Sequence, residues 1–446
     1  MLSPRSIVYS GIFLTEDSRK ILLEKIRPLY ENIFAHHVTV KYRPNSEEIF
    51  NFQPGKEYEL EIVGVASDGK SQAAVIKGFK TESEVTHVTI STLGETKPNY
   101  SKDLLKSAKI ENLKPFKIKG KYGFFCDGPY FFEFPTFNIS TVQIPTRPQP
   151  DTIIALFLLN EYASSIFQGI DSAEIKCNPI FPKDETFESL LQKGILTIDF
   201  EQSIFDHHNK DFSTASESVA EWCNIRKNKE IQKLLEFAKR SEEGKGTISS
   251  DAIDKMFGLD GLIMALNRVH FADPKEVFRI VEPILAGHLR DITEKLINTP
   301  VVWAELLTNG KGKIIKCHTN IGNSKIAFAE SDSQNLPGFL RSYQGERCDL
   351  FVQKLSSGHI NILSKANNNL DLSKLAGIIR QAEALIQKRP INSADLRQAG
   401  RLPEIPEWYY DKITNSILNG GRNVGDVKPT SISWGSFEAL IKKSFE

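Results

Sequence analysis

The chain of 446 residues has few cysteines, no long apolar run and no excess of charge of either sign. The five cysteines are scattered without a Cys-x-x-Cys pair, which argues against a disulfide framework and against a zinc knuckle. No apolar run reaches the length of a membrane-spanning helix, and the first residues lack the apolar core of a signal peptide, so a cytoplasmic protein is expected. Because Lys and Arg number 56 and Asp and Glu also number 56, any surface for nucleic acid must be local.

The order of predicted elements indicates an α/β and α+β chain with several domains. A length of 446 residues suggests about two to four of them. Residues 1–140 read mainly as strands with few helices, one of them over 16–34, which indicates an α+β domain. Three prolines within 141–150 predict a linker, and strands alternating with helices over 151–305 indicate a mainly parallel α/β domain. Residues 306–446 are predicted to form a smaller α/β domain.

The tripeptide pattern His-x-Thr occurs twice, at His37 and Thr39 and again at His87 and Thr89. Both segments are rich in β-branched residues and alternate polar with apolar positions, so each is predicted to be a strand. Because side chains alternate between the two faces of a strand, His and Thr share one face in each segment. If the strands are neighbours, two imidazoles and two hydroxyls converge on one polar surface. The same alternation predicts that His36 faces away from His37.

Two imidazoles at one surface suit acid–base chemistry, because imidazole gains and loses a proton near pH 7. The doubled pattern resembles the 2H phosphoesterase superfamily, which includes 2′,3′-cyclic nucleotide phosphodiesterases and 2′–5′ RNA ligase-like proteins. The resemblance covers residues 1–140. It implies that His37 and His87 are the acid and the base, in an order that the sequence leaves open, and that no metal is needed. It also implies that Thr39 and Thr89 hold the phosphate.

A second group of polar residues follows a buried-type strand over 194–200. Asp199 stands at the end of that strand, where parallel sheets collect ligands, and Asp206, His207 and His208 come shortly after. This pattern resembles the DHH phosphoesterase superfamily, and within it the melanocyte-proliferating-gene exonuclease family. The resemblance implies that these four residues bind Mn²⁺ or Mg²⁺. Carboxylate and imidazole ligands suit such ions, and a pair of ions can stabilise both the attacking and the leaving oxygen.

The first motif of the DHH superfamily is incomplete in this chain. Asp151 is kept as a candidate metal ligand, but Arg147 stands where the superfamily has a histidine ligand and Ile153 where it has a second aspartate. An arginine cannot coordinate a metal, and its charge would repel one. Asp251 or Asp254 is a candidate for the later aspartate of the pattern. The site is therefore expected either to bind a cation or to be an inactive scaffold.

The resemblance to DHH proteins implies that the C-terminal region, residues 306–446, is a substrate-binding domain. Its glycine-led strand contains His359, and a loop over 419–423 contains Arg422, so both are candidate substrate contacts. The leading hypothesis is a phosphoesterase that hydrolyses 2′,3′-cyclic phosphodiesters at RNA ends or on nucleotides. The alternatives are a Mn²⁺-dependent nuclease or nucleotide phosphatase, and a nucleotide- or RNA-binding protein with an inactive DHH scaffold. The oligomeric state is left open.

Overall fold

The computed structural model describes residues 3–208, 211–245, 250–343, 345–365, 368–391, 395–420 and 427–445. The chain divides into two compact units, Met1–Gly287 and His288–Glu446. Both units combine helices with β-sheets, so the mixed α/β, multidomain class expected from the sequence is confirmed at that level. The division of the chain at residues 305 and 306 stays a prediction. None of the described helices is both long enough and apolar enough to cross a bilayer.

The strands of the first unit are short except for β4 and β7. They are β1 Tyr9–Leu14, β2 Asn32–Ile33, β3 His37–Tyr42, β4 Glu57–Ser67, β5 Ser71–Lys77, β6 His87–Thr92, β7 Glu111–Phe125, β8 Tyr130–Phe131, β9 Phe137–Asn138, β10 Thr141–Ile144, β11 Phe167–Gln168, β12 Glu174–Cys177 and β13 Ile195–Thr197.

The helices of the first unit lie mostly in its C-terminal half. They are α1 Glu16–Lys25, α2 Ser101–Ser107, α3 Pro150–Ala163, α4 Phe187–Gln192, α5 Ala215–Trp222, α6 Gln232–Glu242, α7 Ala252–Phe257 and α8 Leu259–Val269, with 3₁₀ turns at Pro4–Ser6, Glu48–Phe50 and Pro98–Tyr100. Helix α9, Pro274–Thr293, begins in this unit and ends in residues of the second.

The N-terminal half of this unit is organised by an antiparallel sheet of eight described strands. Its order is β2-β6-β5-β4-β7-β1-β3, with β8 paired to β7. The strands at its two ends, β2 and β3, are consecutive in the chain, so the sheet curls until its ends approach each other. The Ala35 N–H donates to the Thr89 carbonyl at 2.9 Å, and the Glu82 N–H donates to the Val40 carbonyl at 2.9 Å. Strand β3 therefore lies beside β6.

The strand β1 approaches β3 closely because it carries a glycine at a register shift. The pairing of β1 with β3 shifts between Ser10 and Gly11. A Cβ atom on Gly11 would lie 2.7 Å from the Val38 carbonyl oxygen, so a side chain there would force the strands apart. On the opposite face of β3 and β6, Val38 and Val88 are fully buried. The apolar positions of both His-x-Thr segments thus anchor their strands in the core.

Helix α1 is shorter than the sequence predicts. Thr15 caps its first turn by accepting the Ser18 N–H, and the helix ends at Lys25 rather than continuing to residue 34. Pro28 follows three residues later, and a proline disfavours the helical conformation of the residue before it. The segment beyond it forms β2 instead.

The C-terminal half of the first unit contains a three-stranded parallel sheet in the order β12-β10-β13. The sequence interpretation placed a linker over 141–150, but Thr141–Ile144 is the central strand of this sheet, and Pro150 begins α3. Val142 and Ile144 are buried on it, which explains a strand in a proline-rich segment. Helix α3 is buried from Pro150 to Leu159 and packs against α5 and α6.

The second unit is built on a seven-stranded sheet in the order β14-β15-β16-β17-β20-β19-β18; of its described strand pairs, only β15 with β16 is parallel. Helices pack on the sheet around two apolar clusters. Its strands and helices, with a π-helical turn at Glu294–Asn298 and a 3₁₀ turn at Trp434–Ser436, are β14 Gly312–Thr319, β15 Gly322–Glu330, β16 Leu350–Lys354, β17 Ile360–Ser364, β18 Gly400–Leu402, β19 Ile405–Asp411, β20 Ser416–Leu418, α10 Thr299–Thr308, α11 Leu336–Arg341, α12 Ser373–Ile386 and α13 Phe437–Phe445.

Candidate active site

The closure of the first sheet brings both His-x-Thr pairs to one cavity. His37 and Thr39 from β3 and His87 and Thr89 from β6 all line a cavity of about 370 Å³, called the catalytic cavity below. The period-two alternation predicted a shared face within each strand. The hydrogen bond from Ala35, just before β3, to Thr89 of β6 brings the start of β3 beside β6.

His37 is enclosed by other rings. Tyr9 stacks on it with a centroid distance of 4.7 Å, and His36 stacks on it at 4.5 Å. Its Nε2 atom lies 3.2 Å from the Thr39 hydroxyl. Burial, together with the nearby imidazoles of His36 and His87, lowers the pKa of His37 to about 3. His37 is therefore neutral at neutral pH and able to accept a proton.

His36 lines the same cavity, so the prediction that it faces away from His37 is wrong. The Nδ1 atoms of the two rings lie 2.5 Å apart, a distance at which one ring donates and the other accepts. The alternation rule failed because β3 begins only at His37, and Ala35 has a positive φ of 51° that turns the chain just before it. Burial and the charge of Arg19 lower the pKa of His36.

His87 has a defined tautomer in this structure. Its Nδ1 atom lies 2.8 Å from the Val85 carbonyl, and because a carbonyl only accepts, Nδ1 carries the proton. The Nε2 atom of His87 is therefore the one that gains or loses a proton. Burial lowers the pKa of His87, the Val85 carbonyl opposes this, and the charge of Lys102 adds to the lowering.

Thr89 is held by the turn that begins α2. Its hydroxyl lies 2.9 Å from the Ser101 hydroxyl and 3.2 Å from the Pro98 carbonyl. A phosphate oxygen in the catalytic cavity would compete with these acceptors for the Thr89 proton. The Thr39 hydroxyl, by contrast, contacts the His37 ring inside the cavity.

Sequence reasoning missed several residues that line the catalytic cavity. Lys102, in the first turn of α2, adds a permanent positive charge, and Tyr9 and Tyr42 add aromatic surface. Lys102 reaches the cavity because the helix α2 packs on β4 and β5. Nothing in its spacing from the His-x-Thr patterns could have identified it.

The second predicted cluster is also assembled in the first unit. Asp199, Asp206, His207 and His208 each offer a ligand atom, and these atoms lie within 4.8 Å of one another. Asp199 follows β13 with a positive φ of 65°, a conformation that Asp tolerates better than most residues. The His208 Nδ1 atom lies 2.8 Å from an Asp206 oxygen.

The donor atoms of this cluster fit a divalent cation. Asp206 is fully buried, and among the described residues its Oδ2 atom has no hydrogen-bond partner. The His207 Nδ1 and Asp199 Oδ1 atoms lie 3.0 Å apart, but their angles do not make a hydrogen bond, so both are unsatisfied in the described structure. Burial and the carboxylate of Asp151 raise the pKa of Asp199 to about 6. Buried polar atoms rarely stay unpaired, and Mn²⁺ or Mg²⁺ takes such ligands.

Asp151 has a different set of contacts from the other predicted ligands. Its two oxygens accept the backbone N–H groups of Ala215 and Ser216, at 2.8 and 2.9 Å, at the start of α5. It lies outside the group of four, although its charge reaches Asp199. The expectation that Asp151 is a direct ligand is therefore not supported by its contacts.

Neither residue that departs from the DHH pattern supplies a ligand atom to the cluster. Arg147 is exposed, and its charge acts on the thiol of Cys177. Ile153 is buried in α3. Asp251 caps α7 by accepting two backbone N–H groups, and neither it nor Asp254 belongs to the group of four.

In the second unit, His359 is held by its neighbours. Its Nε2–H donates to the Val427 carbonyl at 2.8 Å, and its Nδ1 atom lies 2.9 Å from the Ser357 hydroxyl. Both ring nitrogens are thus engaged in local contacts, and a substrate would have to displace one of them. The other predicted substrate contact, Arg422, lies outside the described residues.

No protein-family model matches this chain, and no curated protein matches it either. Its function is therefore inferred from the geometry of the two clusters.

Proposed function

We propose that the chain is a phosphoesterase that hydrolyses 2′,3′-cyclic phosphodiesters at RNA ends or on nucleotides. The observation that carries this proposal is the convergence of His37 and His87, from separate strands, on one cavity. The two hydroxyls of the repeated pattern and the ammonium group of Lys102 line the same cavity. An acid, a base and groups that bind an anion are the parts that such a reaction needs.

The pKa order of the two histidines assigns their roles. His37 has the strongly lowered pKa, so it is the neutral base that takes a proton from water. The water oxygen bonds to phosphorus as one ring P–O bond breaks. His87, protonated on Nε2, gives its proton to the departing ribose oxygen. Thr39, Thr89 and Lys102 hold the non-bridging oxygens.

The test is hydrolysis of 2′,3′-cyclic nucleotides with and without EDTA. We expect turnover to a nucleoside monophosphate that survives the chelator, because no step uses a metal. An oligonucleotide with a plain 3′-phosphate is the matched control and should not be cleaved at that site. Turnover that disappears with EDTA would contradict the proposal.

The second candidate is a metal-dependent nuclease or nucleotide phosphatase at Asp199, Asp206, His207 and His208. The observation that favours it is the set of unsatisfied buried ligand atoms in this cluster. These four residues would hold Mn²⁺ or Mg²⁺, which would polarise a phosphoryl oxygen and acidify a bound water. The third hypothesis, an inactive scaffold, requires ligand binding at this cluster without turnover.

Metal binding at this cluster is testable apart from activity. Asp206→Asn should weaken Mn²⁺ binding about 100-fold, measured by calorimetry, because it removes a charged, buried ligand. Even the loss of a residue that only orients a metal ligand lowers metal affinity by about 10- to 100-fold. The exposed Asp211→Asn is the matched control and should bind Mn²⁺ as the unmodified chain does. If the unmodified chain takes up no Mn²⁺, the second candidate fails.

A further inference from the structure

A second pocket, rich in positive charge, adjoins the catalytic cavity. It has a volume of about 420 Å³, and Arg5, Arg43, Arg226 and Lys227 line it together with the carboxylate of Glu221. We call it the basic groove. The whole chain has no net charge, so this concentration of cations is a local property of the surface.

The basic groove and the catalytic cavity share a wall. Val8 lines both of them. Tyr42 lines the catalytic cavity, whereas its neighbour Arg43 lines the groove, with the Arg43 guanidinium 5.5 Å from the centroid of the Tyr42 ring. The two pockets therefore adjoin at Val8 and at the turn after β3.

The groove is built by hydrogen bonds that join β3 to α5. Asn224, just after α5, donates its side-chain amide to the Arg43 carbonyl at 2.9 Å and to the Pro44 carbonyl at 3.2 Å. The Ser46 N–H donates to the Cys223 carbonyl at 3.1 Å. These contacts hold the turn after β3 against the end of α5, so the cations from the two segments face one space.

Two of the four cations lack a carboxylate partner in the described part of the chain. Arg5 lies 3.0 Å from Glu221, and Arg226 contacts Glu221 and also Glu217. Arg43 and Lys227 are exposed, and in the described ranges neither forms an ion pair. The groove thus keeps free positive charge next to the site where we place the phosphate chemistry.

We propose that the basic groove binds backbone phosphates of the nucleotides that precede a cyclic phosphate end. The substrate is then an oligoribonucleotide with a 2′,3′-cyclic phosphate rather than a mononucleotide. This inference rests on the proposed function, because it takes the cyclic end to lie in the catalytic cavity. Lysine and arginine side chains neutralise backbone phosphates, and the arginine fork suits phosphate oxygens.

The test compares a cyclic mononucleotide with a trinucleotide that ends in a cyclic phosphate. We expect the unmodified chain to show a kcat/KM about tenfold higher for the trinucleotide. The double variant Arg43→Gln, Lys227→Gln should lose about tenfold on the trinucleotide through KM, and its salt dependence should weaken. Its kcat/KM for the mononucleotide should not change, since neither residue lines the catalytic cavity.

The double variant Lys20→Gln, Lys229→Gln is the matched control. It removes the same charge from exposed positions that line neither pocket, and it should behave as the unmodified chain does. Equal kcat/KM values of the unmodified chain for both substrates would contradict phosphate binding in the basic groove, and so would equal losses of kcat/KM in the two double variants. Neither result would contradict the proposed function.

Binding separates the two inferences if no substrate is turned over. Fluorescence anisotropy with a labelled trinucleotide should then still show about tenfold weaker binding by the groove variant than by the control variant. If no substrate is turned over but the groove variant binds more weakly than the control variant, only the proposed function is overturned. If there is neither turnover nor a difference in binding, the proposed function and the groove are both overturned.

Discussion

We expect replacement of either His37 or His87 with alanine to lower the turnover of a 2′,3′-cyclic nucleotide by about 10² or more, the usual scale of a lost general acid or base. In the proposed mechanism each imidazole carries a separate proton transfer, so each loss should be large by itself. The measurement is kcat with saturating cyclic nucleotide, followed by chromatography of the monophosphate product. Circular dichroism and thermal melting establish that the variants remain folded.

The control for these variants is His318→Ala, an exposed histidine of the second unit. Its turnover should equal that of the unmodified chain. Unchanged turnover in both cavity variants would remove the catalytic cavity as the site of reaction. A large loss of turnover in only one of the two variants would contradict the proposal that the histidines act as a paired acid and base.

The second large effect is on pH dependence, with kcat/KM for the cyclic substrate reaching its maximum below pH 6.5. Burial and two neighbouring imidazoles lower the pKa of His37 to about 3, and burial lowers the pKa of His87. The working form has His37 neutral and His87 protonated, so it is most populated between these two pKa values. Above the pKa of His87, kcat/KM should fall about tenfold per pH unit.

The pH profile has an internal check. His36→Gln removes one of the imidazoles that lower the pKa of His37, so the acid limb should move to higher pH. Because the pKa of a buried neutral histidine is lower in the folded state, folding loses stability as pH falls below 6.5. Circular dichroism at each pH therefore has to accompany the rates. A maximum above pH 7.5 would contradict the assignment of roles.

The geometry also explains why the two candidate sites can lie in one unit without depending on each other. Different elements supply them. The catalytic cavity is formed by β3, β6 and the start of α2, whereas the four candidate metal ligands follow β13. A chelator and a histidine variant should therefore separate any two activities cleanly.

Local patterns were reliable where a rule acts over a few residues. Alternation placed His37 with Thr39 and His87 with Thr89, because the side chains of a strand alternate whatever the strand pairs with. It failed one residue earlier, at His36, because the chain leaves the extended conformation at Ala35. Similarly, helical spacing predicted α1 but not its end, which is set by the proline that follows.

The amino-acid sequence by itself identified the two His-x-Thr pairs and the Asp and His residues of the second cluster as candidates, because residue type and short spacing decide ligand character and strand face. Only the tertiary structure brings these residues together. The closure of β3 onto β6 joins segments about 50 residues apart in the chain, and the same closure recruits Tyr9, His36 and Lys102 to the cavity. No local pattern encodes such contacts, because they depend on how the sheet curls and on what packs against it.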